Sequence, residues 1–125
     1  MKILHITHSY APLGGTEYYV YNVCNELEKR GHSNIILYGH KHNTSWANNS
    51  IYIEKITDFD CKEEKNNEAL SLIKKENPDI IYLHITNNIY LIEKLSAFKP
   101  IVQYMHNHNL YCPAAFLSTR FLKCP

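Results

Sequence analysis

The stretch Lys2-Ile3-Leu4-His5-Ile6-Thr7-His8-Ser9-Tyr10-Ala11-Pro12-Leu13-Gly14-Gly15-Thr16-Glu17 decides the fold. Lys2 to Thr7 is a short apolar, β-branched run, the pattern of a strand buried in a parallel sheet, and it hands over to a loop containing Pro12, Gly14 and Gly15. Behind the glycines, Tyr19, Val20, Val23, Cys24 and Leu27 recur at helical spacing. Thr16 is placed to cap that helix, and Glu17 falls in its first turn, where the helix dipole favours an anion. Lys29, Arg30 and Gly31 close it with two cations at the negative pole and a glycine suited to a left-handed cap.

Outward from this unit the alternation continues. Asn34 to Gly39 reads as a second buried strand, the polar run from His40 to Ser50 as a loop, and Ser50 to Ile56 as a third strand at or near an edge. Cys61 to Asn77 is a charged helix with Ala69, Leu70 and Ile73 on its inner stripe, stopped by Pro78 because the residue before proline avoids helical geometry. Asp79 to His84 is a fourth strand, Asn88 to Ala97 a short helix, and Ile101 to Met105 a fifth strand. Strands alternating with helices require right-handed crossovers, so the expected fold is α/β, a parallel Rossmann-like sheet with helices on both faces; the pattern does not encode the strand order, and 3-2-1-4-5, the usual one for such a set, is the expectation. The 125 residues, 45% of them hydrophobic, suit one domain over 1–125 and leave no room for two. The chain stops at Lys123-Cys124-Pro125 with no closing helix, so the domain is expected to be incomplete at its carboxyl end.

Composition excludes several functions. A net charge of +1, from 13 basic and 12 acidic residues spread along the chain, gives no footprint for a polyanion, and nucleic acid is not an expected partner. The first residues are apolar for too short a stretch to be a secretory signal, and no run approaches the roughly 20 apolar residues of a membrane span. A cytoplasmic location follows, with Cys24, Cys61, Cys112 and Cys124 as thiols. Asn43-Thr44-Ser45 and Asn48-Asn49-Ser50 match the glycosylation sequon, but the enzyme that reads it works outside that compartment.

Ligands of an open parallel sheet bind at the carboxyl ends of its strands, beside the point where strand order reverses. Three loops lie there: His8 to Glu17, His84 to Asn87, and His106-Asn107-His108, each with a histidine. Gly14-Gly15 ahead of a helix lets backbone amides approach a phosphate, and the helix start favours negative charge. A glycine turn chosen only for positive dihedral angles explains the pair equally well. His84 and His106 sit where apolar strands give way to loops, so their rings are expected to reach a shared crevice and hydrogen-bond a sugar or a leaving phosphate. His106, His108, Cys112 and Cys124 offer zinc-type ligands, but structural sites pair cysteines roughly two to four residues apart and these two are well separated, so no metal is expected. Glu17 and Asp79 are explained as a helix start and a strand lead-in.

These residues together resemble a family, the GT-B glycosyltransferases of family 4. The matching pieces are Met1-Lys2-Ile3-Leu4-His5-Ile6, Pro12-Leu13-Gly14-Gly15-Thr16-Glu17, Leu27-Glu28-Lys29-Arg30-Gly31-His32, Pro78-Asp79-Ile80-Ile81-Tyr82-Leu83-His84 and Pro100-Ile101-Val102-Gln103-Tyr104-Met105-His106, in the family's order and over nearly the whole chain. The resemblance implies the amino-terminal, acceptor-side half of a retaining transferase. Such an enzyme moves a sugar from a nucleotide-diphosphate donor to a glycan, lipid or small-molecule acceptor, without a cofactor and in settings such as cell-envelope polysaccharide synthesis. It implies Gly14 and Gly15 against the donor diphosphate and His106, the candidate catalytic residue, near the transferred sugar. His84, Glu17, His8 and Asn107 are candidates for the acceptor or sugar. Many members carry an acidic residue where this chain has Asn107. The cations that neutralise the leaving diphosphate belong to the family's second, donor-binding domain, so a partner domain in cis or trans is expected, and the chain alone is expected to transfer nothing. With a lipid acceptor, peripheral contact with the inner face of a membrane is compatible with this reading. The competing reading is a non-catalytic nucleotide- or partner-binding module on the same scaffold; a receiver domain is set aside because the first loop offers His8, Ser9 and Tyr10 where acidic residues are needed.

Overall fold

The structure, a computed structural model, describes residues 1–106. Five strands and three helices follow one another, alternating except where β2 leads directly to β3: β1 Lys2–Ser9, α1 Gly15–Lys29, β2 Ser33–His40, β3 Ser50–Tyr52, α2 Glu63–Glu76, β4 Ile80–Leu83, α3 Ile89–Ser96 and β5 Ile101–Gln103. Every neighbouring pair of strands is parallel, and the order is β3-β2-β1-β4-β5, the expected arrangement. Strand order therefore reverses at β1, and the crevice flanking its carboxyl end is the place where this topology accepts a ligand.

Side-chain parity on β1 divides the interior. Leu4 and Ile6 face one side with Leu37, Ile81 and Leu83, where Ala69 and Ile73 of α2 and Leu91 and Leu95 of α3 cover them. The other side holds Ile36, Tyr38 and Tyr10 under Val20 and Cys24 of α1. Burial also pushes the Cys24 thiol up to about 12, with Glu28 adding to the shift, so this cysteine stays protonated as packing.

The ends of the elements differ from expectation in ways the backbone explains. Thr16 lies inside α1; the cap is Gly14, extended at φ −162, with no side-chain cap bond. Gly31 does take the left-handed conformation, at φ 83, and its N–H reaches the Glu28 carbonyl at 2.9 Å. β3 is shorter than the alternation of Ile51 and Ile53 suggested, because Lys55 turns left-handed at φ 55 and the chain folds inward, burying both Ile53 and Ile56. The start of β4 is tied to β1 twice: the Lys2 N–H donates to Asp79 Oδ2 at 2.7 Å, and the Asp79 N–H donates to the Lys2 carbonyl at 2.8 Å. Asp79 is thus a strand lead-in, as read. Asn77 ends α2 in a left-handed turn immediately before Pro78.

Candidate functional site

The carboxyl edge of the sheet carries two groups of histidines separated by the loop from β1 to α1. On the β4–β5 side lies a line of three. Asn34 Nδ2 donates to the Cys24 carbonyl at 2.9 Å, which turns its Oδ1 toward His5 Nε2 at 3.0 Å. A carbonyl oxygen can only accept, so that nitrogen of His5 carries the proton and His5 Nδ1 is an acceptor. His84 Nε2, 3.0 Å away, must then donate to it, and His84 Nδ1 accepts from His106 Nε2 at 3.1 Å. One amide orientation fixes the tautomer of three rings. In its neutral form His106 is left with an unprotonated Nδ1 at the end of the line.

This line runs through the interior. His5 is fully buried and His84 is 2% exposed. Burial, followed by the neighbouring His5 and His106, pushes His84 down to about 2, and burial lowers His5 as well, so both stay neutral near neutral pH. His84 therefore does not itself reach the crevice as expected; both ring nitrogens are spent on its neighbours, and only His106 is placed to meet a ligand. The His106 ring is half-buried among aromatics, edge-on to Tyr19 at 5.1 Å between centroids and tilted against Tyr104 at 4.6 Å, while Tyr19 and Tyr82 share a hydroxyl hydrogen bond of 3.0 Å. Its pKa is lowered by burial and raised by the charge of Glu17.

The glycine pair stands between the two groups. Neither glycine has a positive φ; among the glycines only Gly31 does, so turn geometry does not account for Gly14-Gly15. A Cβ added at Gly15 would meet nothing within 4 Å, and one at Gly14 would meet Glu17 Oε2 at 3.3 Å. The amino end of α1 thus opens onto free space, with the Glu17 carboxylate folded back over it. The charge of Glu17 acts on both His106 and His8.

On the β1–β2–β3 side His8 stacks on His40 with ring centroids 3.9 Å apart, and His40 Nε2 lies 2.7 Å from Asp58 Oδ1. His42 Nε2 reaches Ser9 Oγ at 3.3 Å. Beyond them opens a cleft of about 690 Å³ lined by Tyr38, Lys41, His42, Asn43, Trp46 and Tyr52. Trp46 is held as its wall by stacking on Tyr21 at 4.6 Å and by its backbone N–H, which donates to the Tyr10 carbonyl at 3.0 Å.

Of the expected site residues, the structure brings Gly14, Gly15, Glu17, His8, His84 and His106 to one edge, and Asn107 lies outside the described residues, as do His108, Cys112 and Cys124. Sequence reading passed over His5, Asn34, His40 and Asp58. The signal for the first two was present: a histidine and an asparagine inside strands otherwise apolar enough for full burial must find partners. Among the described residues no buried side-chain nitrogen or oxygen lacks one. Nor is any described helix long and apolar enough to cross a membrane.

Comparison with known proteins agrees with this architecture. The fold is shared with an alpha-glucosyltransferase solved in complex with UDP and a 13-mer DNA containing a central A:G mismatch: TM-score 0.63 at 17% identity, over 93% of this chain and 33% of that one. The present chain therefore spans about a third of that protein's length. A search of curated proteins finds no match. The family described as glycosyl transferase 4-like matches residues 11–113, most of the sequence, and with the parallel sheet of the GT-B fold in place the chain belongs to that family.

Proposed function

We propose that this chain forms the acceptor-side wall of a cleft in which a sugar passes, with retention, from a nucleotide-diphosphate donor to a glycan, lipid or small-molecule acceptor. The observation that carries this reading is the pairing of two features on one edge: the α1 amino end, open at Gly15, and the ring of His106, held in a defined tautomer. The free amides and dipole of the helix start suit a diphosphate. The unprotonated Nδ1 of His106 suits a sugar hydroxyl, which would donate a hydrogen bond to it. Glu17 faces the same space, and its charge discourages a diphosphate from settling there without cations from elsewhere. A donor-binding domain in cis or trans supplies them on this reading, since stabilising the leaving group is usually the largest catalytic contribution. The cleft around Trp46, with one aromatic wall and polar side chains opposite, is the entry for the acceptor, on the side where His8 lies; Asn107 is proposed as a further contact to the sugar.

The test is reconstitution. The chain is mixed with, or fused to, a donor-binding half of the same family, supplied with UDP-glucose as the probe donor, and scored for transfer and for amide shifts at Gly14, Gly15 and Thr16. Transfer by the assembly and none by the chain alone supports the proposal. Full activity of the assembly carrying His106→Ala would instead support a non-catalytic binding module.

A further inference from the structure

We infer that His8, His40 and Asp58 form a binding site for a divalent transition-metal ion of the zinc type. They come from three separate segments, β1, the last residue of β2 and the loop after β3, and they are the one group of this kind gathered among the described residues, with ligand atoms all within 4.8 Å of one another. The inference is independent of the sugar-transfer reading.

Distances and support both fit. Around a tetrahedral zinc, with bonds of about 2.0–2.1 Å, ligand atoms stand roughly 3.3 Å apart. Asp58 Oδ1 lies 2.7 Å from His40 Nε2 and 3.9 Å from His8 Nδ1, on either side of that value, and the two rings, stacked with centroids 3.9 Å apart, would have to swing apart to aim both nitrogens at one ion. In the free protein the carboxylate and His40 satisfy each other, which is how an empty site of this type holds its ligands together. Two imidazoles and one carboxylate suit zinc and its transition-metal neighbours; magnesium and calcium favour oxygen ligands.

The carboxylate is delivered by a built support. Gly39 lacks the Cβ that would stand 2.5 Å from Thr57 Oγ1 and 3.1 Å from Thr57 N, and the loop lies against the strand through Lys55 N–H to the Gly39 carbonyl at 2.9 Å. Thr57 is buried, and its carbonyl accepts from the Asn87 N–H at 2.7 Å, so the residue before Asp58 is anchored from β2 and from the loop after β4. The Thr57 hydroxyl lies 3.4 Å from His8 Nδ1. The three side chains remain 46%, 33% and 22% exposed, for His8, His40 and Asp58 in turn, so three protein ligands leave a solvent-facing position for water or for an oxygen of a bound molecule.

The test uses the 125-residue chain stripped of metal and titrated with Co²⁺, read by its visible absorption, with Zn²⁺ added in competition. One equivalent is expected to bind. His40→Ala and Asp58→Asn should each weaken binding more than about tenfold, a loss that even outer-shell partners of a metal commonly cause. Cys112→Ser/Cys124→Ser should leave binding unchanged. X-ray absorption of the zinc form reads the ligands directly, whether or not a variant folds: nitrogen and oxygen neighbours without sulfur are expected. Sulfur in the shell, no binding at millimolar Co²⁺, or binding indifferent to both His40→Ala and Asp58→Asn would overturn the inference.

Discussion

Acid should unfold this protein through its buried histidines. His84 has an ordinary pKa of 6.5 in the unfolded chain and is pushed down to about 2 in the fold, by burial first and then by His5 and His106. A folded-state pKa below the unfolded one means that the unfolded chain binds the proton more readily, so stability is fully present above pH 6.5 and declines as pH falls toward the folded value. Between pH 7 and pH 5 the unfolded His84 becomes almost fully protonated while the folded one does not, and the difference is about 2 kcal/mol. His5 adds in the same direction. The groups facing these rings are Asn34, Tyr82, Tyr19 and His106; Glu17 acts on His106, and no carboxylate is among the causes acting on His84. Urea unfolding of the wild type and of His84→Gln, at pH 7 and pH 5, isolates the effect. Glutamine can donate to His5 and accept from His106, yet it cannot titrate. The variant should lose about 2 kcal/mol less than the wild type over that interval. Equal losses in the two proteins would refute the buried, neutral line.

Gly39→Ala should destabilise the fold by about 1–3 kcal/mol in urea unfolding, because the new methyl would meet the Thr57 backbone nitrogen at 3.1 Å as well as its hydroxyl. Asn88 caps α3 through the Leu91 N–H at 3.0 Å and donates from Nδ2 to the Ile56 carbonyl and to Asn66 Oδ1, both at 2.7 Å; Asn88→Leu, which leaves those buried acceptors unpaired, should cost about 2–4 kcal/mol by the same measurement. Gly15→Val, at a position with free space and no positive φ, should change stability by less than about 1 kcal/mol, and under the proposed function should weaken UDP-glucose binding by the chain joined to a donor-binding half, read by calorimetry; unchanged binding would remove Gly15 from the proposed diphosphate contact.

The parts of the fold legible in the sequence were those fixed by periodicity and by chain punctuation. The parallel sheet followed from the alternation of strands and helices and the end of α1 from Lys29, Arg30 and Gly31, whereas the strand order, which no local pattern encodes, matched the one usual for such a set. β3 was misjudged in length because Ile53 and Ile56 are buried after the strand has ended, by a left-handed turn at Lys55 that no local pattern announces. Thr16 was misplaced as a cap because a capping side chain competes with a glycine two residues earlier, and the helix starts after Gly14. At the site, histidines at strand ends were visible as a set, but which would face the crevice depended on partners distant in sequence: His84 is closed off by His5 and His106, separated from it by 79 and 22 positions. His40 and Asp58 fell in stretches read as a loop and a connection, and their proximity depends on Gly39 letting the Thr57 loop come down on β2.

The two histidine groups differ in a way that follows from where each begins. The line ending at His106 starts at Asn34, whose amide is anchored on the backbone of α1, and passes from β2 to β1 to β4 before it reaches the end of β5. Every link is a hydrogen bond between groups with fixed donor and acceptor roles, and the buried links cannot take up a proton near neutral pH. The line is therefore a lock on orientation, and it does not serve as a path for protons: a proton arriving at His106 would stay there, since His84 is the poorer base by far. A ring whose tautomer and position are set before any ligand arrives needs no reorganisation when charge develops beside it, which is the condition under which a fixed polar group helps a reaction most. His8 and His40 have no such anchor behind them. Their half-buried rings are ordered by each other, by one carboxylate and by the Thr57 hydroxyl, an arrangement that can open to admit a ligand. The edge of one sheet thus presents a fixed group on one side of Gly14-Gly15 and an adjustable one on the other, with the charge of Glu17 felt by both.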